Sequence, residues 1–169
     1  MIQVERLMAL LGLKPLPGEG GYFAETYRSW EVVSREALPG RYGGARSLGT
    51  GIYYLLTSDT CSRLHRLKSD EVYHFYLGDP VELLLLQPDG SGQVLTLGQD
   101  LVGGMQVQAV VRQGVWQGSR LVPGGRFALL GTTMAPGFEF ADYEGGRRGE
   151  LLEAYPRFRD LILTLTQAP

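Results

Sequence analysis

Nine short segments of apolar and β-branched residues, separated by turns rich in glycine and proline, constrain the fold of this chain more than any other feature. The turns include GDP at 78–80, PDGSG at 88–92 and PGG at 123–125. Many short strands at this spacing are typical of an all-β sandwich or barrel. The predicted strands are 21–30, 49–57, 61–66, 70–77, 81–87, 93–97, 106–111, 115–121 and 126–134.

Helical periodicity is confined to the two ends of the chain. Apolar residues recur at helical spacing over residues 3–11, with Gly12 as a C-cap, and again over 147–165, where Pro156 begins a second helix. We therefore predict one all-β domain with short flanking helices. Its parts are an N-terminal helix and loop (1–18), the barrel (19–144) and C-terminal helices (145–169). Residues 34–47 are polar and glycine-rich, which indicates an exposed, mobile loop.

Composition excludes several classes of partner. The 169 residues suit a single domain with one core. A net charge of -2, without runs of like charge, argues against binding nucleic acid or an anionic membrane. The single cysteine, Cys61, rules out an internal disulfide and fits a reducing compartment. Because the N-terminus does not resemble a signal peptide, and no apolar run is long enough to span a bilayer, we predict a cytoplasmic protein.

Both histidines, His65 and His74, lie between Ser62 and Gly78. Glu71 follows His65 by six positions, and Gly78 follows Glu71 by seven. This spacing resembles the first motif of the cupin superfamily, G-x5-H-x-H-x3,4-E-x6-G. Leu67 stands at the position of the second histidine, which is normally a metal ligand.

A second cupin motif, G-x5-P-x-G-x2-H-x3-N, is expected some forty residues later. Gly114 matches its central glycine, but Arg112 replaces the proline. Gln117 stands where the metal-binding histidine is expected, and Leu121 where the asparagine is expected. The position of this segment, after the first motif and before the last strands, supports the assignment more than its residues do.

The whole chain resembles a family of small stand-alone cupins without an established function. Four blocks occur in the order seen in that family, at Glu19–Ser29, Ser62–Pro80, Gly114–Gln117 and Ala135–Glu144. The resemblance implies a double-stranded β-helix, the cupin jelly-roll barrel, and a homodimer. We expect residues near 19–33 to contribute to the dimer interface, since short barrels leave sheet edges that need cover.

A more distant likeness is to the dTDP-sugar 3,5-epimerases, which are also cupins. Their catalytic histidine lies in an Arg-x-x-His segment, and Arg63 and His65 resemble it with one residue fewer between them. Their catalytic base is paired with an aspartate from a late segment. The resemblance implies that Asp142 could fill that role.

The cupin resemblance also implies a metal held by three histidines and one glutamate. His65, Glu71 and Gln117 occupy three of these positions, but Leu67 offers no donor and an amide is a poor ligand. We therefore expect no cofactor. The alternative is a divalent metal bound by His65, Glu71 and Gln117 in an oxygenase or isomerase.

Strand alternation predicts which side chains face the interior of the barrel. Glu71 and Tyr73 share one face of their strand and His74 lies on the other, while Arg63 shares a face with His65. We predict that His65, Glu71, Tyr73 and Gln117 line a pocket together. The predicted ligand-binding residues are Arg63, Tyr73, Gln117, Tyr22, Glu25 and Tyr27.

These observations favour a protein that binds a small ligand inside its barrel. Without a metal, His65 and Glu71 form a candidate acid–base pair for isomerase- or epimerase-like proton transfer on a sugar or carbonyl compound, with His65 as the base. Two alternatives stay open: the metal-dependent enzyme described above and a non-catalytic small-molecule-binding protein. A structural pairing of His65 with Glu71 is a further possibility.

Overall fold

A computed structural model of the chain describes residues 3–167. The strands are β1 (Lys14–Pro15), β2 (Tyr22–Arg28), β3 (Val32–Val33), β4 (Arg46–Ser47), β5 (Thr50–Thr57), β6 (Ser62–Leu67), β7 (Glu71–Gly78), β8 (Val81–Leu86), β9 (Gly92–Leu97), β10 (Gln108–Val111), β11 (Trp116–Leu121), β12 (Phe127–Met134) and β13 (Tyr143–Gly145). The helices are α1 (Val4–Leu11), α2 (Arg148–Ala154) and α3 (Arg159–Thr164). Short 3-10 turns lie at Arg35–Ala37, Phe140–Asp142 and Pro156–Phe158.

Two antiparallel sheets face each other to form the barrel. One has the strand order β1-β2-β5-β12-β7-β10, and the other has the order β13-β6-β11-β8-β9. The short strands β3 and β4 pair separately. All nine predicted strands form, with ends shifted by at most two residues, and the predicted helix at the N-terminus ends at Gly12 in the left-handed conformation. The all-β jelly-roll prediction is therefore confirmed.

The main core lies between the two sheets. Alternate residues of each strand point inward, so Leu56, Leu83 and Leu130 are fully buried there. The helices cover the outer faces: α1 packs on Leu55 and the start of β12, whereas α2 and α3 pack on β6 and β8. No helix within residues 3–167 is long and apolar enough to cross a membrane.

The prediction of an exposed loop at 34–47 is wrong at Tyr42, Arg46 and Ser47, which are buried. Tyr42 is fully buried, and its hydroxyl donates a hydrogen bond to the Lys68 carbonyl over 3.0 Å and contacts Ser69 Oγ at 2.9 Å. Arg46 is also buried and pairs with Asp142. These contacts are with residues far away in sequence, so local polarity and glycine content carried no sign of them.

An irregularity in β6 changes which of its side chains face the interior. Gln117 of β11 pairs with His65, but Ser119 pairs with Ser62, so β6 has one residue more than β11 between these two pairs. Such a β-bulge breaks the two-residue alternation. Ser62, His65 and Leu67 are consequently buried, whereas Arg63 is only half-buried.

Candidate functional site

A cavity of about 110 Å³ lies against the inner face of the six-stranded sheet. Its walls are largely apolar and aromatic, with β2, β5, β7 and β12 supplying most of them. Four carboxylates and one guanidinium line it as well. The apolar lining comes mainly from Leu16, Phe23, Ile52, Leu67, Met134, Phe138 and Phe140, and the charged lining from Glu19, Glu25, Arg28, Glu71 and Glu139.

Glu71, the first residue of β7, lines this cavity although only 7% of its surface is exposed to solvent. Gln117 of the facing sheet donates a hydrogen bond from Nε2 to Glu71 Oε2 over 2.8 Å, which links the two sheets across the barrel. Burial, and then the nearby Glu19 carboxylate, raise the pKa of Glu71. His65, Thr132 and Gln117 oppose that rise without cancelling it.

Glu19 lines the cavity but is not among the site residues predicted from the sequence. Ser62 Oγ donates a hydrogen bond to Glu19 Oε1 over 2.7 Å, and the backbone N–H of Arg63 donates to the Glu19 carbonyl over 2.9 Å. A Cβ on the following residue, Gly20, would collide with the Cys61 carbonyl, so only glycine allows this close approach. The glutamate followed by two glycines at 19–21 was the available signal.

His65 lies behind Glu19 and does not line the cavity. Its residue is 1% exposed, and its ring stacks on Tyr143 with the centroids 5.1 Å apart. Nδ1 lies 2.7 Å from the Arg63 carbonyl, which can only accept a hydrogen bond, so Nδ1 carries a proton. The other ring nitrogen, Nε2, points toward Glu19 Oε2, 3.9 Å away. It presents either its lone pair or a second proton to that oxygen.

The Tyr143 ring holds this imidazole from the other side. Burial, together with the Glu19 charge, raises the pKa of Tyr143 to about 12. Tyr143 therefore stays a neutral phenol at physiological pH. The stack keeps the His65 ring in one orientation, with Nε2 directed at Glu19.

The residues at the cupin metal-ligand positions do not fit a metal centre. Gln117 turns its amide N–H toward Glu71 rather than its oxygen, and Leu67 has no donor atom. His65 directs Nε2 at Glu19. Within residues 3–167, no three side chains of His, Cys, Asp or Glu come together in a group that could hold a metal ion.

Asp142 does not pair with His65, contrary to its predicted role. Its Oδ1 and Oδ2 accept hydrogen bonds from Arg46 Nη2 and Nε over 2.6 Å and 2.7 Å, and Lys68 Nζ lies 3.8 Å from Oδ1. A carboxylate held on both oxygens by a guanidinium is a structural ion pair. The acidic neighbour of His65 is Glu19 instead.

Arg63 also lies away from the cavity. The bulge in β6 turns it out of the face that His65 occupies, and its Nη1 donates to the Gly18 carbonyl over 3.0 Å. The prediction that Arg63 and His65 share a face is therefore wrong. Alternation alone could not reveal it, because the extra residue is defined by the pairing with β11.

Of the other predicted site residues, Tyr73 and Glu25 line the cavity, and Gln117 lies directly behind Glu71. Tyr22 packs in the outer cluster beneath α1, and Tyr27 is largely exposed, so neither reaches the cavity. His74 lies on the outer face of β7, as predicted, where Nε2 is 3.0 Å from Thr133 Oγ1. Ligand binding by any of them stays a prediction.

Comparisons with known proteins agree with this architecture. Residues 5–145 match the profile of the family described as "Cupin superfamily (DUF985)". The uncharacterized yeast (Saccharomyces cerevisiae) protein YML079W is 32% identical over 133 residues, which span 74% of this chain and 66% of the yeast protein, just under two-thirds of its length.

Two solved structures are similar over nearly their full length. Protein SO0799 of Shewanella oneidensis superposes with a TM-score of 0.86 at 30% identity, covering 100% of both chains. A hypothetical protein from Leishmania major gives a TM-score of 0.87 at 29% identity, covering 99% of this chain and 100% of its own. With the jelly roll, the degenerate histidine–glutamate motif and the profile match in agreement, this chain belongs to the cupin superfamily, in the family described as DUF985.

Proposed function

We propose that this cupin binds a small organic ligand in the barrel cavity and transfers a proton to and from it without a metal. The observation that carries the proposal is the pair of carboxylates, Glu19 and Glu71, that line one largely apolar cavity. Their environments differ: Glu71 is deeply buried, and this burial raises its pKa. Two carboxyl groups with unequal environments are a common basis for acid and base roles in one site.

In this proposal Glu71 is the general acid and Glu19 is the general base. Glu19 removes a proton from the carbon next to a ligand carbonyl, and Glu71 donates its proton to the carbonyl oxygen, which yields an enol. Glu19 then returns its proton to a carbon of the enol, and a hydroxyl of the enol returns a proton to Glu71. The result is an isomerisation when the neighbouring carbon is protonated, and an epimerisation when the same carbon is protonated on its opposite face. Protons and electrons balance, so no oxidant or other co-reactant is needed.

His65 acts as a positioning residue in this scheme, not as the base. Its Nδ1 is bonded to a backbone carbonyl and its Nε2 faces Glu19 Oε2 at 3.9 Å. That separation is longer than a hydrogen bond, so the imidazole acts on the Glu19 carboxyl group through electrostatics and does not share its proton. Ser62, which donates to Glu19 Oε1, is the residue that holds Glu19 in place.

Deuterium exchange tests this proposal. We expect the purified protein in D2O to introduce deuterium at the carbon next to the carbonyl in at least one compound from a panel of small aldoses, ketoses and their amino derivatives, detected by proton NMR. His74→Ala, which changes only the outer face of β7, should exchange at the same rate as the wild type. If the whole panel stays unlabelled while a compound binds, the protein is a binding protein and not a catalyst.

We also propose that the chain forms a two-fold homodimer through the segment near residues 19–33. In the described residues, Trp30 is 99% exposed, and Tyr27 and Val32 nearby are largely exposed as well. Exposed apolar side chains next to one another are typical of an interface. Light scattering at micromolar concentration should return twice the mass of one chain, and Trp30→Asp should return the single mass; a wild-type protein with the single mass would contradict this proposal.

A cytoplasmic location stays a prediction.

A further inference from the structure

The charges around the cavity are unbalanced. Glu19, Glu25, Glu71 and Glu139 line it, and Arg28 is the one basic residue among the described side chains that do so. Even with Glu71 protonated, three carboxylates face one guanidinium. Low-dielectric walls concentrate the field of such a cluster, so the cavity attracts positive charge and repels negative charge.

The single guanidinium is already neutralised by its neighbours. Arg28 Nε and Nη2 donate to the two oxygens of Glu25 over 3.0 Å and 2.9 Å, and Nη1 donates to Glu139 Oε1 over 2.9 Å. Nη2 also lies 3.2 Å from the Phe138 carbonyl. Binding an anion to Arg28 would require one of these carboxylates to leave, so Arg28 is not available as an anion site.

Deeper in the cavity, Glu71 can still accept a hydrogen bond. Gln117 donates a hydrogen bond to Oε2, and Thr132 also lies close enough to lower the pKa of Glu71. A carboxylate has about four acceptor positions, so it can accept further donors from the cavity. A carboxylate that is more than nine-tenths buried and aimed into a cavity is costly unless a donor reaches it. The aromatic rings of Phe23, Tyr54 and Tyr73 line the same space, and such rings bind a cation on their faces.

We propose that the physiological ligand carries an ammonium group and is neither a carboxylate nor a phosphate. The cation lies between Glu19 and Glu71, and the rest of the molecule lies against the aromatic wall. This inference rests on the proposed function and narrows its substrate class to amines, such as amino sugars or amino ketones. It depends on binding alone and does not require that catalysis occurs.

Three matched probes test the inference: benzylamine, benzyl alcohol and benzoate, which join the same ring to a cationic, a neutral or an anionic group. We expect benzylamine to bind at least about tenfold more tightly than benzyl alcohol, and benzoate not to bind measurably. Binding is measured by ligand-observed NMR and by thermal melting at neutral pH. If benzyl alcohol or benzoate binds as well as benzylamine, the charge inference is overturned, whereas the ligand-binding cavity stands. If none of the three binds, both proposals fail.

Two sets of variants localise the effect. Glu19→Gln should weaken benzylamine binding by about tenfold and leave benzyl alcohol unchanged, whereas Glu144→Gln, in an exposed pair with Arg66 away from the cavity, should change neither. Combining Glu25→Gln with Glu139→Gln frees Arg28, so benzoate should then bind. If this double variant melts like the wild type but does not bind benzoate, Arg28 is not held neutral by Glu25 and Glu139, and that assignment is overturned.

Discussion

Glu71→Gln is expected to reduce proton exchange on a substrate by about a hundredfold to ten-thousandfold, the usual contribution of a general acid. Glutamine has almost the same shape as glutamate, so the cavity and the hydrogen bond toward Gln117 are disturbed little. What the variant removes is the dissociable proton. The measurement is the rate of deuterium incorporation into a compound that the wild-type protein labels.

The same variant should be more stable than the wild type at neutral pH. Burial and the Glu19 charge raise the pKa of Glu71 in the folded protein, so the ionised form costs folding free energy. The cost is absent below the ordinary carboxyl pKa of 4.5, grows as the pH rises from 4.5 to the raised pKa, and is constant above it. We expect a gain of about 1 kcal/mol at neutral pH, a size common for relieving a functional site.

The new amide also has a potential partner. Gln117 Oε1 is buried and has no hydrogen-bond partner within the described residues, and the amide of Gln at position 71 can donate to it. Urea denaturation at pH 7 and near pH 4.5 measures the effect, and the difference between variant and wild type should shrink at the lower pH. Exchange at the wild-type rate would remove Glu71 from the acid role, and a loss of stability at pH 7 would mean that its carboxylate is a structural group.

Arg46→Ala is expected to lower the free energy of unfolding by about 3 kcal/mol, because it leaves Asp142 buried without its main counterion. The Arg46 guanidinium makes two charge-assisted hydrogen bonds to Asp142 and lies over the Tyr42 ring. We expect the lower end of the range for buried pairs, since Lys68 Nζ, 3.8 Å from Asp142, compensates part of the charge. Urea denaturation measures the loss.

A matched control is Arg147→Ala, which breaks an exposed pair with Glu150 and should cost less than about 1 kcal/mol. The double variant of Arg46→Met and Asp142→Leu should regain most of the stability that Arg46→Ala loses, because no buried charge is left unpaired. Deuterium exchange should stay at the wild-type rate in this double variant. If its exchange is lost while it melts like the wild type, Asp142 has the catalytic role that the epimerase likeness implied.

Local sequence patterns predict nine of the thirteen strands within residues 3–167, their turns and the faces of β7, but not the short strands β1, β3, β4 and β13. Apolar alternation and glycine turns are local properties, so the nine strands were predictable within two residues, and Glu71, Tyr73 and His74 lie on the faces that alternation assigns them. Gly78 shows why such turns can be predicted from the sequence. It has a φ of 106°, and a Cβ there would collide with the backbone of β12, so the motif requires glycine.

The assembly of the site depends on contacts between segments that are far apart in the chain. The bulge in β6 exists only through pairing with β11, and it moves Arg63 off the face of His65. Gly20, next to Glu19, lets the chain lie against the Cys61 carbonyl, and Gly21 lets it lie against Tyr54. Asp142 pairs with Arg46, a residue 96 positions earlier. Each of these depends on a partner distant in sequence, and neither periodicity nor spacing within a segment carries information about which distant side chain fills a given space.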